Sequence, residues 1–277
     1  MRVALVQLTS SDDPAENLST VSTYLREAAE QGARFILTPE VTNCVSTGKA
    51  HQTQVLSPEE SDPTLAAVRD LAAELDIWVL LGSLGLKTED PDGRFANRSI
   101  LISPEGEIAA RYDKIHMFDV DVTAEETYRE SDGYRPGDQA VTSAVDGVGI
   151  GLSICYDIRF PHLYRALAQA GARILTVPAA FSHVTGAAHW EHLLRARAIE
   201  NGAFVLAPAQ CGTHTAREGQ ARRTHGHSMA IAPWGEVLAD CGTEPGVTLV
   251  DLPLAAVDDS RRRVPSLSHD RPFKGPR

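Results

Sequence analysis

The sequence lacks a hydrophobic run long enough to cross a lipid bilayer. Its longest stretch without Asp, Glu, Lys or Arg covers residues 174–190, and Pro178, Ser182 and two histidines interrupt it. After Met1 it also lacks the apolar core and cleavage site of an export signal, because residues 3–7 already read as a buried strand. We therefore expect no membrane association and no export, with the four cysteines reduced in the cytoplasm.

Basic residues are the minority among the charged side chains. The 277 residues include 26 Lys and Arg against 37 Asp and Glu, a formal net charge of −11. A surface of this sign repels phosphate backbones, so the arginine clusters 222–223 and 261–263 indicate solvated faces or carboxylate partners and not a nucleic-acid interface. A chain of this length buries roughly 75% of its unfolded surface, which excludes a disordered protein.

Short apolar runs alternate with helical patterns along the whole chain. The pattern predicts strands at residues 3–7, 35–38, 77–81, 149–154, 174–177 and 204–208, and helices at residues 159–170 and 189–201. Asp13-Pro14 and Asp62-Pro63 each supply an N-cap and a first-turn proline for a further helix. This alternation is typical of α/β proteins with parallel strands.

The second half of the sequence repeats features of the first. Residues 32–39 (GARFILTP) resemble residues 171–178 (GARILTVP), and residues 99–107 (SILISPEGE) resemble residues 228–236 (SMAIAPWGE), where Pro-x-Gly predicts a hairpin turn. Two sheet-plus-helix units must bury their bare sheet faces against each other. We therefore predict an α/β fold, a four-layer α-β-β-α sandwich in one domain of residues 1–277, with an extended tail from about residue 264.

Three reactive side chains are predicted to stand at the carboxyl ends of strands. Glu40 follows the strand at residues 35–38, Cys155 follows the strand at 149–154, and Lys114 follows a hairpin strand. Loops and reactive groups converge at this edge of α/β sheets. Singly, the three could be a surface carboxylate, a core thiol and a solvated charge. Together, a carboxylate, an ammonium and a thiol suffice for acyl transfer.

The residues around these groups resemble the motifs of a known family. Residues 37–40 (LTPE), 111–116 (RYDKIH) and 154–161 (ICYDIRFP) are similar to the Glu, Lys and Cys motifs of the carbon–nitrogen hydrolase, or nitrilase, superfamily. The likeness extends from about residue 2 to residue 273. It implies the same four-layer sandwich, a homodimer or higher homo-oligomer, and a second active-site glutamate at Glu130.

Within the superfamily, one loop indicates a branch. Residues 209–212 (AQCG), followed by residues 226–228 (GHS), look like the deaminated-glutathione amidase branch of the Nit-type amidases. An ω-amidase, another aliphatic amidase or a carbamoylase remains an alternative. The intervening segment is rich in cations, so substrate carboxylates are predicted to bind there. The predicted substrate-binding residues are Cys211, Arg217, Arg222 and Arg223.

Amide hydrolysis assigns a role to each candidate residue. Cys155 is the predicted nucleophile and Glu40 its base, while Lys114 and the backbone N–H of Tyr156 hold the oxyanion. Glu130 would orient Lys114 or the substrate amide, and ammonia and a carboxylic acid are the expected products. The chemistry requires no cofactor or metal. Asp157 and Arg159 are expected to form a structural ion pair, and Cys44 and Cys241 to be structural.

Other functions are open to the same residues. His189 and His192 on one helix, with His225 and His227, could supply four nitrogen ligands to zinc, but helical histidines with a tryptophan between them more often serve packing. A catalytically silent interaction scaffold would not need a buried ammonium, carboxylate and thiol together. A papain-like hydrolase would place its cysteine on a helix, whereas Cys155 follows a strand.

Overall fold

The computed structural model describes residues 1–123, 126–217 and 221–276. The strands are β1 (Arg2–Gln7), β2 (Phe35–Leu37), β3 (Trp78–Leu86), β4 (Phe95–Ile102), β5 (Ile108–Asp113), β6 (Asp119–Asp121), β7 (Thr127–Arg129), β8 (Tyr134–Arg135), β9 (Thr142–Val145), β10 (Val148–Gly151), β11 (Ile174–Thr176), β12 (Phe204–Ala207), β13 (Cys211–His214), β14 (Arg222–His225), β15 (Met229–Ile231), β16 (Val237–Asp240) and β17 (Gly246–Asp251). The α-helices are α1 (Pro14–Glu30), α2 (Lys49–Val55), α3 (Pro63–Leu75), α4 (Pro161–Gln169), α5 (His183–Asn201) and α6 (Ala255–Arg263).

The predicted elements all form, and three of their bounds differ from the prediction by more than two residues. β3 continues to Leu86 because β4 offers it a pairing partner beyond an irregularity in the register. β10 ends at Gly151, before the chain turns towards Cys155. α5 begins at His183, six residues earlier than predicted. α1 and α3 start as predicted, with Asp13 and Asp62 accepting backbone N–H groups at 2.9 and 2.8 Å.

The two halves build sheets with the same strand order. The first sheet runs β17-β1-β2-β3-β4-β5, with β8 beside β4. Given in the matching direction, the second sheet runs β9-β10-β11-β12-β15-β16. In each sheet, three sequential parallel strands are followed by two antiparallel ones joined by the predicted Pro-x-Gly hairpin. The predicted duplication is therefore confirmed.

The duplication extends to single hydrogen bonds. Gly32 and Gly171 follow α1 and α4 with φ of +87° and +100°, conformations that favour glycine. Two residues later, the backbone of Arg34 bridges β1 and β3, and the backbone of Arg173 bridges β10 and β12 in the same way. The repeated GAR motif thus performs one task twice, which is to end a helix and start the middle strand.

Alternating side chains divide the molecule into layers. Val3 and Leu5 of β1 point into a core that contains Ile150 and Leu175 of the second sheet, and the residues between them face the opposite way. Those intervening residues pack with α1 and α3, while α4 and α5 cover the second sheet. This period-two alternation produces the predicted α-β-β-α sandwich.

The C-terminal tail differs from the predicted extended segment. Residues Ser266–Ser268 form a single helical turn, and residues 269–276 have no regular secondary structure. The tail lies against α4 of its own chain, where Gln169 donates to the Leu267 carbonyl at 3.0 Å and Arg165 pairs with Asp270. Among the described residues, no helix has the length and apolarity needed to cross a bilayer.

Candidate active site

A cavity of about 390 Å³ opens where strands of the two sheets end. It contains the three side chains singled out in the sequence, since Glu40 follows β2, Lys114 follows β5 and Cys155 follows β10. Glu130 and Tyr156 line it as well. Residues more than a hundred positions apart are thus brought into one space, as expected for a site at the carboxyl ends of parallel strands.

Glu40 is buried and spans the gap between the two sheets. Its Oε1 accepts hydrogen bonds from Lys114 Nζ at 2.8 Å and Asn97 Nδ2 at 2.9 Å, both from the first sheet. Its Oε2 accepts the backbone N–H of Ala180 at 2.8 Å, from the segment that follows β11. Each carboxylate oxygen therefore faces a different half of the molecule.

Lys114 lies between two carboxylates and is only 2% exposed. Besides its bond to Glu40, its Nζ contacts both oxygens of Glu130 at 2.8 Å. Glu130 is itself fixed by the backbone N–H of Phe118, at 2.6 Å from its Oε2. The structure thus places Glu130 where it orients Lys114, one of the two roles considered from the sequence.

Asn97 is a member of this cluster that the sequence did not reveal. It lies within β4, and its Nδ2 donates to Oε1 of both Glu40 and Glu130, at 2.9 and 3.2 Å. In the sequence it is only the first of three adjacent polar residues, Asn97, Arg98 and Ser99, and nothing distinguishes it from the other two. Asn97 became recognisable only when the fold brought Glu40 and Glu130 to it.

Cys155 begins a tight helical turn, Cys155–Arg159, with φ of +48°. This left-handed conformation is uncommon for a residue with a side chain and often marks a functional position. The Cys155 N–H donates to the Pro178 carbonyl at 2.9 Å. The next N–H, that of Tyr156, has no acceptor in the described part of the chain, as expected in the first turn of a helix.

The buried side chain of Asp157 stabilises the helical turn Cys155–Arg159. It is fully buried, and its two oxygens accept bonds from the Tyr112 hydroxyl at 2.6 Å, the Ile154 N–H at 2.8 Å, and the N–H and Nδ1 of His116 at 3.0 and 2.7 Å. A carboxylate only accepts hydrogen bonds, so His116 Nδ1 carries the proton. Asp157 therefore holds the strained backbone around the thiol.

The predicted ion pair between Asp157 and Arg159 is wrong. Asp157 points inward to hold its own turn, whereas the Arg159 guanidinium lies over the rings of Tyr156 and Phe181, 5.8 and 5.5 Å from their centroids. Arg159 also contacts His189 Nδ1 at 3.2 Å. Sequence proximity suggested a pair that the direction of the two side chains prevents.

The charges of the cluster follow from burial and from Lys114. Burial raises the pKa of the Cys155 thiol well above its usual range, and the Glu40 carboxylate raises it further. Burial also opposes ionisation of Glu40, but Lys114 outweighs it and the pKa of Glu40 falls below its ordinary value. Burial likewise opposes the charge on Lys114, yet Glu130 and Glu40 raise its pKa well above normal. The resting cluster is a neutral thiol beside an ionised carboxylate and an ammonium.

Only one of the predicted substrate-binding residues lines the cavity. Arg222 reaches it from β14, stacks over the Tyr128 ring at 5.6 Å from the centroid, and has no carboxylate partner among the described residues. Arg217 instead pairs with Asp13 at 2.8 Å, at the start of α1. Arg223 is exposed on the opposite face of β14. Residues 218–220 of the same segment lie outside the described residues.

Cys211 is also placed away from the cavity. It is fully buried in β13, and its Sγ lies 3.3 Å from the Thr9 hydroxyl. Burial raises the pKa of its thiol, as expected for a packed structural cysteine. Of the four residues predicted to bind the substrate, only Arg222 therefore lines the cavity.

The histidines considered as zinc ligands serve other contacts. His189 touches Arg159, and His192 is exposed on α5. His225 stacks on His227 with ring centroids 4.6 Å apart, and His227 Nδ1 bonds Asp240 at 2.9 Å. In the ranges 1–123, 126–217 and 221–276, no group of three or more His, Cys, Asp and Glu side chains is arranged to hold a metal ion.

Comparison with known proteins gives the same family as the sequence motifs. The carbon-nitrogen hydrolase family model matches residues 2–262. The chain is 38% identical over 271 residues to a deaminated glutathione amidase of Yersinia enterocolitica, covering 97% of this chain and 92% of that protein. Among solved structures, the C. elegans NitFhit protein superposes with a TM-score of 0.87 at 33% identity, covering 98% of this chain and 65% of that one. This chain therefore spans about two thirds of that protein's length.

A further solved structure concerns the cysteine. A mutant of the amidase from Nesterenkonia sp. AN1, with acrylamide added at its active-site cysteine, is 29% identical with a TM-score of 0.76, covering 95% of this chain and 98% of that one. The superfamily predicted from the three motifs is confirmed by both kinds of match. The chain belongs to the carbon–nitrogen hydrolase family and is an enzyme that hydrolyses amides.

Proposed function

We propose that this enzyme hydrolyses a small carboxylate-bearing amide through a thioester on Cys155, with deaminated glutathione as the first substrate to test. The observation that carries the proposal is one cavity holding a buried thiol, an ionised carboxylate, a paired ammonium and the guanidinium of Arg222, which donates to the Ala180 carbonyl and has no carboxylate partner among the described residues. The relatives named deaminated glutathione amidase support this choice of substrate. The enzyme needs no metal for this chemistry.

The first half of the reaction forms the thioester. Glu40 takes the proton from the Cys155 thiol, and the sulfur attacks the carbonyl carbon. In the resting cluster Lys114 Nζ contacts Glu40 and both oxygens of Glu130, so one of its three N–H groups turns from Glu130 to the developing oxyanion. The Tyr156 N–H is the second oxyanion donor, since it has no acceptor among the described residues.

The second half restores the thiol. Glu40 gives its proton to the leaving nitrogen as the C–N bond breaks, and it then takes a proton from an incoming water. The water oxygen attacks the thioester carbon, the C–S bond breaks, and the proton returns to Cys155. The net products are a carboxylic acid and the nitrogen-containing leaving group.

The leaving group depends on the substrate. Primary amides release ammonia, as expected from the sequence alone. Glutathione, however, joins its residues through substituted amides, so cleavage of its deaminated form releases an amine instead. Assays for this enzyme must therefore detect a free amine as well as ammonia.

The decisive experiment compares initial rates on deaminated glutathione, a carboxylate-bearing primary amide, a small neutral amide, a nitrile and a carbamoyl amino acid. We expect deaminated glutathione to give the highest kcat/KM, and a thioester on Cys155 to be trapped by acid quenching and mass spectrometry. A clear preference for the carboxylate-bearing primary amide would instead indicate an ω-amidase. Turnover without an enzyme-bound thioester would contradict the proposed mechanism.

We further propose one hydrolase domain spanning residues 1–277 that acts as a cytoplasmic homo-oligomer. Interleaving of the halves supports a single domain, because β17, from the end of the chain, pairs with β1. Free thiols at all four cysteines support a reducing compartment. The exposed Ile199 and Trp234 give apolar surface to an oligomer contact. Light scattering of the purified chain tests the assembly, and a monomer would contradict it.

A further inference from the structure

Asn97 holds two carboxylates of the active site at once. Its side chain is 1% exposed, and its single Nδ2 donates to Glu40 Oε1 at 2.9 Å and Glu130 Oε1 at 3.2 Å. Both acceptors also contact Lys114 Nζ. An amide and an ammonium therefore clamp the same pair of carboxylate oxygens from two sides.

The opposite end of the amide shows that this arrangement does not serve packing alone. Asn97 Oδ1 is buried and has no hydrogen-bond partner among the described residues. An unpaired buried acceptor is destabilising, and native proteins rarely keep one without a reason. Turning the amide over would place Oδ1 against the acceptor oxygens of Glu40 and Glu130, which would repel it. The orientation is fixed by the acceptor oxygens of its neighbours.

The hydrogen bond from Asn97 makes the surroundings of the two Glu40 oxygens different. A carboxylate oxygen has two lone pairs, and those of Oε1 are taken by Lys114 and Asn97. Oε2 accepts the Ala180 N–H, and the Cys155 thiol forms a side-chain hydrogen bond with the Glu40 carboxylate. Ala180 follows β11 in the second half, as does Pro178, whose carbonyl binds the Cys155 N–H. Oε2 thus faces the half that carries the nucleophile.

We propose that Asn97 is a positioning residue that, with Lys114, occupies Oε1 of Glu40 and so makes Oε2 the atom that carries the proton through the reaction. This inference rests on the proposed function. The proton moves from Cys155 Sγ to Oε2, from Oε2 to the leaving nitrogen, from water to Oε2, and from Oε2 back to Sγ. Oε1 stays deprotonated and bound to Asn97 and Lys114 throughout.

The acidic limb of the pH profile of kcat/KM should shift when the hydrogen bond from Asn97 to Glu40 is removed. The charged and titratable groups that face Glu40 are Lys114 after β5, Arg222 on β14, Cys155 after β10, Glu130 beside Lys114, and Tyr134 on β8. Asn97 adds a neutral donor that favours ionised Glu40. Removing the donor raises the pKa of Glu40, and the ionised form is the active base. The acidic limb of kcat/KM must therefore move to higher pH.

The test is Asn97→Leu, which removes the donor while keeping the branched shape of the side chain, with Asn97→Ala as a second variant that also lacks a donor and has less bulk. We expect the acidic limb of kcat/KM to shift upward by about one pH unit in both, as when an ionised group loses one charge-assisted hydrogen bond. We expect kcat to fall about tenfold and KM to change little, since the substrate contacts remain. The matched control is Ser99→Ala, because Ser99 is a buried polar residue two positions further along β4 that bonds the Leu81 carbonyl and does not line the cavity.

A second readout does not require turnover. The rate at which iodoacetamide alkylates Cys155, followed by mass spectrometry of its peptide, should shift along the pH axis in the same direction in both Asn97 variants. Equal loss of activity at every pH, with an unshifted alkylation profile, would overturn the inference and leave Asn97 a structural residue. If the unaltered enzyme shows no amide turnover, the proposed function fails, and the alkylation profile still decides the role of Asn97.

Discussion

The two halves of this enzyme share a backbone plan and differ in chemistry. After the repeated motif, Pro39 is followed by Glu40 in the first half, whereas Pro178 is followed by Ala179 in the second. The two halves can be aligned by one equivalent hydrogen bond, since the Arg2 carbonyl accepts from the Arg34 N–H as the Gly149 carbonyl accepts from the Arg173 N–H. In this alignment, Leu8 of the first half corresponds to Cys155 of the second. The carboxylate proposed as the base thus lies only in the first half, and the thiol proposed as the nucleophile lies only in the second.

This difference teaches that neither half carries a complete site. The first half supplies the Glu40 carboxylate, the Asn97 amide and the Lys114 ammonium, and the second half supplies the thiol and Arg222. Glu40 is the link, because its two oxygens bond to opposite halves. The repeated glycine turns and strand order build the scaffold, and the unrepeated residues at the strand ends supply the groups of the proposed reaction.

The largest expected effect is the loss of the second half's nucleophile. Cys155→Ser should reduce kcat by about 10⁴-fold or more, since a serine hydroxyl is a far weaker nucleophile without a stronger base. The matched control is Cys241→Ser, a half-buried thiol of the same half that does not line the cavity. Steady-state rates decide the matter, and comparable losses in both variants would remove Cys155 from its proposed role.

Loss of the first half's cation comes next. Lys114→Ala should lower kcat by about 10²–10³-fold, the range expected when one oxyanion donor is lost. Glu40 and Glu130 would then share a buried site without the ammonium that lies between them, so the pKa of Glu40 should rise and the acidic limb should shift upward. Circular dichroism must show a folded protein. A folded variant with unchanged kcat would return Lys114 to a purely structural role.

A smaller effect concerns substrate choice in the second half. Arg222→Gln should raise KM for a dicarboxylate-bearing amide by about tenfold, one charge-assisted contact, and should change KM for a small neutral amide far less. Arg223→Gln is the matched control, because Arg223 is the next residue within β14 and is exposed on the opposite face of that strand. Equal changes for both substrates would leave Arg222 without a role in carboxylate recognition.

The smallest effects test the symmetry of the scaffold. Gly32→Ala and Gly171→Ala should each lower the free energy of unfolding by about 1 kcal/mol, because alanine is strained at positive φ. An added Cβ meets nothing closer than 3.7 Å at Gly32 and nothing within 4 Å at Gly171, so only the backbone strain contributes. Gly275→Ala in the tail is the control. Urea titrations that gave very different losses for the two glycines would break the equivalence of the two turns.

Much of the fold and the central cluster could be predicted from the sequence for local reasons. Some features depend only on neighbouring residues, so they can be recognised in the sequence. These are the N-caps at Asp13 and Asp62, the glycine turns and the Pro-x-Gly hairpins. Glu40, Lys114 and Cys155 were recognisable because each directly follows a strand. The early start of α5 and the inward turn of Asp157 were missed because contacts with distant residues set them.

What the sequence by itself determined is therefore the duplicated α-β-β-α scaffold, the family and the three reactive side chains at strand ends. Only the tertiary structure decided which cations and amides meet them. It placed Arg222 in the cavity and turned Arg217 and Arg223 away, and it brought Asn97 from the middle of β4 onto two carboxylates. The physical reason is that a side chain's partner across a sheet or between layers depends on strand register and packing, which no local pattern encodes.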